Sequence, residues 1–335
     1  MSLAFDLPLD REARRPPELR GLTRDGVTML VSSARGNTHT IAAFRDIPKH
    51  LRAGDLVVVN DSATIPAALT AQRTNGSSIA LHLSTRISQT LWIVEPRRTL
   101  VQIGERFTLP GGASAELLSP PAREHTRLWY AHLNVPGNLR SYLQRYARPI
   151  SYGYLDEPVP IAFYQTIFSR EPGSVEMPSA GRPFTLRVLD ALYRNNANVA
   201  AVTLHCGVAS PESHEPPMDE RFNVPASTAA AVNRTRESGG RVIAIGTTVV
   251  RALESAADER GTVRAASGWT SHIVDPAHSP RIVDGLLTGF HEPRASHLNM
   301  LEAFAPAPFL QDAYDTALQA GLFWHEFGDV HLVLP

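Results

Sequence analysis

Thr247 and Thr248 set two hydroxyls side by side, Arg251 adds a guanidinium one turn on, and Glu254 a carboxylate just beyond it. All four follow directly on Gly246 and the apolar run Val242 to Ile245. That run is β-branched and uninterrupted, as a buried strand is, while Val249, Val250, Leu253 and Ala257 repeat at helical spacing. A helix opening on hydroxyls predicts Thr247 or Thr248 as its N-cap. Free N–H groups and the positive end of the helix dipole suit a carboxylate or a phosphate there, and Arg251 would add charge.

Two imidazoles stand at comparable places. His205 follows the apolar Val202 to Leu204 and His291 follows Leu286 to Phe290, so each ends an element where an α/β-type site forms. Either serves as acid or base near neutral pH, or as a hydrogen-bonded structural residue. Glu176 lies in the turn-rich Gly173 to Gly181, where a carboxylate suits an amine or a cation, or is simply a surface acid. His205, His214, Glu215 and Asp219 match no recurrent zinc spacing, so no metal site is expected. No Gly-x-Ser-x-Gly elbow, Walker sequence or Gly-x-Gly-x-x-Gly after a strand is present, which removes the commonest hydrolase, P-loop and dinucleotide readings.

These residues need a framework, and the chain has length for one. Its 335 residues exceed what a single core usually reaches, and 43% hydrophobic with 19% charged residues fits an ordinary globular protein. The single Cys206 excludes an internal disulfide. Asp6 and Asp10 sit where a signal peptide would be basic then apolar, and no stretch is apolar enough to span a bilayer, so a cytoplasmic protein is expected. A net charge of −1 argues against a generally basic nucleic-acid surface but leaves room for local Arg patches, such as Arg97 with Arg98.

Leu56 to Val59 reads as a buried strand, with Asn60, Asp61 and Pro66 as loop punctuation. From about residue 70 to 135 the texture changes to alternating strands with turn signals at Asn75-Gly76 and Gly111-Gly112, a small antiparallel sheet or barrel. Helices are scarce before Thr185, a predicted cap. The second half then alternates: a strand at Val199 to Leu204, a helix at Pro225 to Ser238, and the strand and helix of Arg241 to Asp258. Helices at Arg294 to Phe304 and Leu310 to Ala320 and a strand at Val330 to Leu334 complete it. Pro211 to Pro217 reads as a surface loop.

Taken in order, these segments resemble the S-adenosylmethionine:tRNA ribosyltransferase-isomerases of queuosine biosynthesis, nearly end to end. Phe5-Asp6-Leu7-Pro8 is similar to the family's opening, GDLVVVNDSATIP at Gly54 to Pro66 to its Gly-Asp-x-Leu-Val segment, and Tyr164-Gln165-Thr166 to its Tyr-Gln-Thr. GSVEMPSAGRPFT at Gly173 to Thr185, Thr203-Leu204-His205 with Gly207, Gly246-Thr247-Thr248 with Arg251 and Glu254, TGFHEPRASHLNMLEAF at Thr288 to Phe304, and Gly328-Asp329 continue it. The chain departs within these motifs: Arg182-Pro183 replaces Leu-His, Glu176 and Met177 replace two small residues, and Glu326-Phe327 replaces Ser-Tyr.

The resemblance implies an α+β fold: a larger domain with a β-barrel flanked by helices, residues 1–69 and 136–335, and a smaller inserted antiparallel β domain, residues 70–135. It implies that S-adenosylmethionine is a substrate rather than a prosthetic group, that tRNA is the other partner, and that the protein is a monomer. In the family reaction the aminomethyl group of 7-aminomethyl-7-deazaguanine in tRNA attacks the ribose, adenine and methionine leave, and an epoxycyclopentane forms. The sulfonium acidifies the adjacent methylene, so the protein must supply a base, a clamp and room for adenine to depart. His205 or His291 is expected to move the proton, and Thr247, Thr248 and Arg251 to hold an anionic group. Glu176, Ser179, Gly181, Glu254 and Asp329 are further expected contacts. The departures leave two other readings open: a divergent enzyme acting on a small-molecule acceptor, and a non-catalytic binding protein.

Overall fold

The computed structural model describes residues 3–121, 127–208, 218–293 and 295–335. Its centre is a nine-stranded mixed sheet. Four parallel strands occupy the middle, in the order Asn198–Leu204, Leu56–Asn60, Val242–Ile245 and Gly285–Gly289. Leu56–Asn60 and Val242–Ile245 are buried at every position, as the continuous apolar runs require of strands covered on both faces. Val330–Leu334 runs antiparallel to Gly285–Gly289, and the hairpin Thr28–Ser33 with Thr38–Ala43 closes that edge. Glu220–Val224 and Ala266–Thr270 form the other edge.

Helices pack on both faces of this sheet. Leu253, Val249 and Val250 of the helix Thr247–Ser255 and Val232 of Ala226–Glu237 join one core cluster with Val58, Val202 and Ala244. On the other face Leu192 and Val188 of Leu186–Arg194 pack with Val57, Ile243 and Phe184. Thr185 caps that helix as its sequence predicts, its hydroxyl accepting from the Val188 N–H at 3.3 Å. The expected helix at Leu310 to Ala320 runs Ala307–Gln319. The one expected from Arg294 begins at Ser296 and ends at Glu302.

The β-rich middle of the chain closes into a six-stranded antiparallel barrel, with strands from Ala68–Arg73 to Trp129–Asn134. Leu83, Trp92, Phe107 and Leu117 fill its interior. The fold class is therefore α+β, and the closed barrel is formed by strands between Ala68 and Asn134, not by those of the nine-stranded sheet, which stays open. A helix absent from the sequence reading, Leu139–Tyr146, follows the barrel; Asn138 caps it by accepting from the Ser141 N–H, and Tyr142 and Leu143 plug the barrel end. Inside the barrel wall Glu95 meets Arg127 at 2.6 Å, Arg97 at 2.9 Å and His82 at 3.6 Å. Burial opposes its ionisation, but these partners hold the carboxyl down at about 2. Among the described residues no helix is long and apolar enough to cross a membrane.

Candidate active site

All four parallel strands point their C-terminal ends the same way, and a cavity of about 400 Å³ opens there. Both the position, outside the carboxyl ends of parallel strands, and the volume suit a small-molecule site. One side chain ties the strand ends together. Asn60 closes its strand, and its Nδ2 donates to the Leu204 carbonyl at 2.8 Å and to Thr248 Oγ1 at 3.2 Å. Its Oδ1 accepts from the N–H groups of Leu204 and Ser62, each at 3.0 Å. Read from sequence as loop punctuation, Asn60 instead extends the ladder past its last backbone pair, Val202 with Asn60.

Gly246 turns the chain into the helix at φ +97°, a conformation that favours glycine, and is itself the N-cap. Neither Thr247 nor Thr248 caps the helix, which corrects the expected arrangement: both hydroxyls are helical residues that line the cavity. The first N–H groups of the helix therefore have no side-chain cap. Arg251 also reaches the wall, yet four of its five N–H groups are engaged. They go to Glu220 and to the carbonyls of His272, Met218 and Thr270, the last three at 3.0, 3.1 and 3.1 Å. Arg251 thus ties Met218 and Glu220 to Thr270 and His272 and does not stand free to meet an anion.

The opposite wall comes from Glu176 to Ala180 and from Glu326. Ser179 and Gly181 form a tight 3-10 turn set against Gly246; Ser179 lines the cavity, whereas Gly181 is buried behind it. Arg182 is nearly inaccessible, and its Nη2 donates to both carboxylate oxygens of Glu18, at 2.8 and 3.0 Å, while the guanidinium lies over the Phe327 ring. A guanidinium where the resembling family has leucine is thus accommodated by a partner from the N-terminal segment.

The two candidate imidazoles part company. His291 lines the cavity, its Nε2 is 2.9 Å from Thr288 Oγ1, and its ring stacks on His297 at 4.2 Å. Burial, then the neighbouring His297 and His325, hold its pKa well below the usual imidazole value, so the ring is neutral at pH 7. Burial likewise brings His297 down to about 4. His205 does not line the cavity: its Nδ1 lies 2.8 Å from Ser62 Oγ, and its ring fills the space that a side chain at Gly173 would need, 2.4 Å from where a Cβ would stand. Glu254 is also structural, accepting from the N–H groups of Arg281, Ile282 and Val283 beneath the site. Asp329 accepts from Thr28 and Phe323 beside a separate cleft of about 10 Å³, room for one water. Cys206 lines the cavity with its thiol pushed far up by burial, and so protonated. His214 and Glu215 lie outside the described residues.

Sequence reading passed over several cavity residues, namely His297, Asn299, His272 and Glu220. His297 carried a signal, since it lies six residues after His291 across the start of a helix. Glu220 carried none; only the pairing of its strand brings it to Arg251.

A profile of the family described as queuosine biosynthesis protein matches residues 1–333. The chain belongs to that family. An S-adenosylmethionine:tRNA ribosyltransferase-isomerase of Trichlorobacter lovleyi is 33% identical over 99% of this chain and 98% of its own length. Another, from Acidithiobacillus ferrooxidans, is 35% identical over 99% of this chain and 96% of its own. The crystal structure of the S-adenosylmethionine tRNA ribosyltransferase from Thermotoga maritima superimposes with a TM-score of 0.57 at 28% identity, covering 99% of both chains. In this queuosine biosynthesis family member, then, the matched GTT and FH motifs converge on one cavity.

Proposed function

We propose that the protein transfers and isomerises the ribosyl moiety of S-adenosylmethionine onto 7-aminomethyl-7-deazaguanine in tRNA, releasing adenine and methionine and giving epoxyqueuosine. The observation that carries the reading is a single cavity, at the C-terminal ends of four parallel strands, lined by the hydroxyl pair Thr247 and Thr248 and by a neutral His291. It acts as a soluble cytoplasmic monomer, with residues 1–69 and 136–335 carrying the site and 70–135 inserted.

The uncapped N–H groups beside Thr247 and Thr248 receive the carboxylate of the amino-acid arm, where the helix dipole favours negative charge. His291 is the proton acceptor, because the neutral imidazole is the form that takes a proton and Thr288 fixes its ring. The positive sulfur stabilises the charge left on the adjacent methylene, so no prosthetic group is required for that step. The aminomethyl nitrogen then forms its bond to the ribose as adenine and methionine depart. Cys206 takes no part as nucleophile, being held as the thiol.

Incubation with S-adenosylmethionine, with and without tRNA bearing the aminomethyl deazaguanine, tests the reading by following adenine and methionine. Release only with the tRNA is expected. Release without it, or none with it, would overturn the proposal. Within the same assay His291→Asn should lower turnover at least about a hundredfold, the usual scale of a lost acid–base group. His205→Asn should act mainly on stability.

A further inference from the structure

Glu326 presents a chemical problem that the fold leaves unsolved. Its side chain faces the cavity, and the Tyr154 hydroxyl donates to its Oε2. Among the described residues it forms no ion pair with Arg, Lys or His, and the nearby Glu292 adds like charge. The rest of the cavity offers no relief. Of its described lining residues only Arg251 carries a permanent positive charge, and that guanidinium is already held by Glu220 and three carbonyls. A carboxylate withdrawn from water without a cation is costly, and the usual solutions are a cationic partner or protonation.

Tyr154 is itself firmly placed. Its ring stacks between Tyr152, at 5.5 Å and 4°, and His325, at 4.3 Å and 14°. Its hydroxyl therefore fixes one carboxyl oxygen of Glu326 and leaves Oε1 to accept from a ligand. Glu326 also stands on the same wall as Ser179 and Ala180, and Ala180 packs against Gly246 at the start of the helix Thr247–Ser255.

We propose that Glu326, oriented by Tyr154, receives the α-ammonium group of the amino-acid arm of S-adenosylmethionine. The inference rests on the function proposed above and specifies which part of the donor this wall reads. An ammonium fits better than the sulfonium of the same molecule, because it brings N–H donors to the carboxylate, whereas sulfur has none to give. Two charged hydrogen-bonding partners then meet in a site of low dielectric, where such bonds are strongest. Tyr154 acts as a positioning residue, without touching the donor.

The experiment is a calorimetric titration of the full-length protein with two ligands: S-adenosylmethionine and 5′-methylthioadenosine, which keeps the nucleoside and lacks the whole amino-acid arm. Glu326→Gln should weaken S-adenosylmethionine at least about tenfold, the scale of a lost charge-assisted hydrogen bond. It should leave 5′-methylthioadenosine within about twofold. Tyr154→Phe should give the same pattern in smaller measure, and it carries the test should Glu326→Gln fail to fold. Equal losses for both ligands, or unchanged binding of S-adenosylmethionine, would overturn the assignment. So would a variant that binds the donor normally but requires more tRNA, since the carboxylate would then face the acceptor's amine. Absence of S-adenosylmethionine binding by the unaltered protein would instead defeat the functional reading itself, so the two failures are distinguishable.

Discussion

Replacing Asn60 by alanine should be among the most damaging single changes near the site, although this side chain reaches the cavity only through Thr248 and performs no chemistry. Asn60 is 3% exposed and makes four hydrogen bonds, three of them to backbone groups of Leu204 and Ser62. Truncation leaves two N–H donors and one carbonyl without partners, each costing about 1–3 kcal/mol when buried. Water entering from the cavity offsets part of that, so a loss of about 3–5 kcal/mol is expected. Urea unfolding followed by circular dichroism measures it, and calorimetry should show weaker donor binding because Thr248 loses the Nδ2 that orients its hydroxyl. Asn60→Asp separates hydrogen bonding from volume. The shape is kept, but the Nδ2 donor becomes an oxygen facing the Leu204 carbonyl, so the cost at pH 7 should match that of Asn60→Ala. It should ease at acid pH, where a protonated carboxyl can donate. A loss below about 1 kcal/mol for Asn60→Ala, with unchanged donor affinity, would refute the idea that this amide holds the strand ends together.

Acid should destabilise the protein through its buried imidazoles. Burial brings His297 and His325 down to about 4 and His331 to about 3, against an ordinary value of 6.5. Their contribution is complete above pH 6.5 and is lost as pH falls towards 4, because the unfolded chain binds protons that the folded one refuses. At about 1.4 kcal/mol for each pH unit between the two values, His331 alone contributes several kcal/mol. A midpoint of urea unfolding that stays flat from pH 7 to pH 4.5 would contradict this. In the barrel, Glu95→Gln should cost about 3–5 kcal/mol by leaving Arg127 and Arg97 without their shared carboxylate; a thermal midpoint unchanged within error would count against it. Gly173→Ala should lower stability and disturb His205, whose ring occupies the space a Cβ requires. An unaltered melting curve would mean that the ring moves aside freely.

Much of the framework was legible because it rests on local signals. The uninterrupted β-branched runs at Leu56 and Val242 read as buried strands, and the alternation with turn residues between 70 and 135 marked an antiparallel sheet or barrel, which only the tertiary pairing closes. The site was legible in part. Thr247, Thr248 and His291 were readable as the polar ends of apolar elements, and they do meet in one cavity. His205 looked equivalent in sequence, but its ring turns onto Ser62 and Gly173. Arg251 looked like an available cation until Glu220 arrived from a strand 31 positions away in the chain.

By itself the sequence determined the element types and the family's motifs, since both follow from periodicity, turn chemistry and residue identity along one dimension. The tertiary structure alone decided which polar groups are free to act. Whether a carboxylate or guanidinium is spent on the protein or left for a ligand depends on what packs against it, and those partners come from distant segments: Glu220 for Arg251, Tyr154 for Glu326, and Asn60 for Thr248.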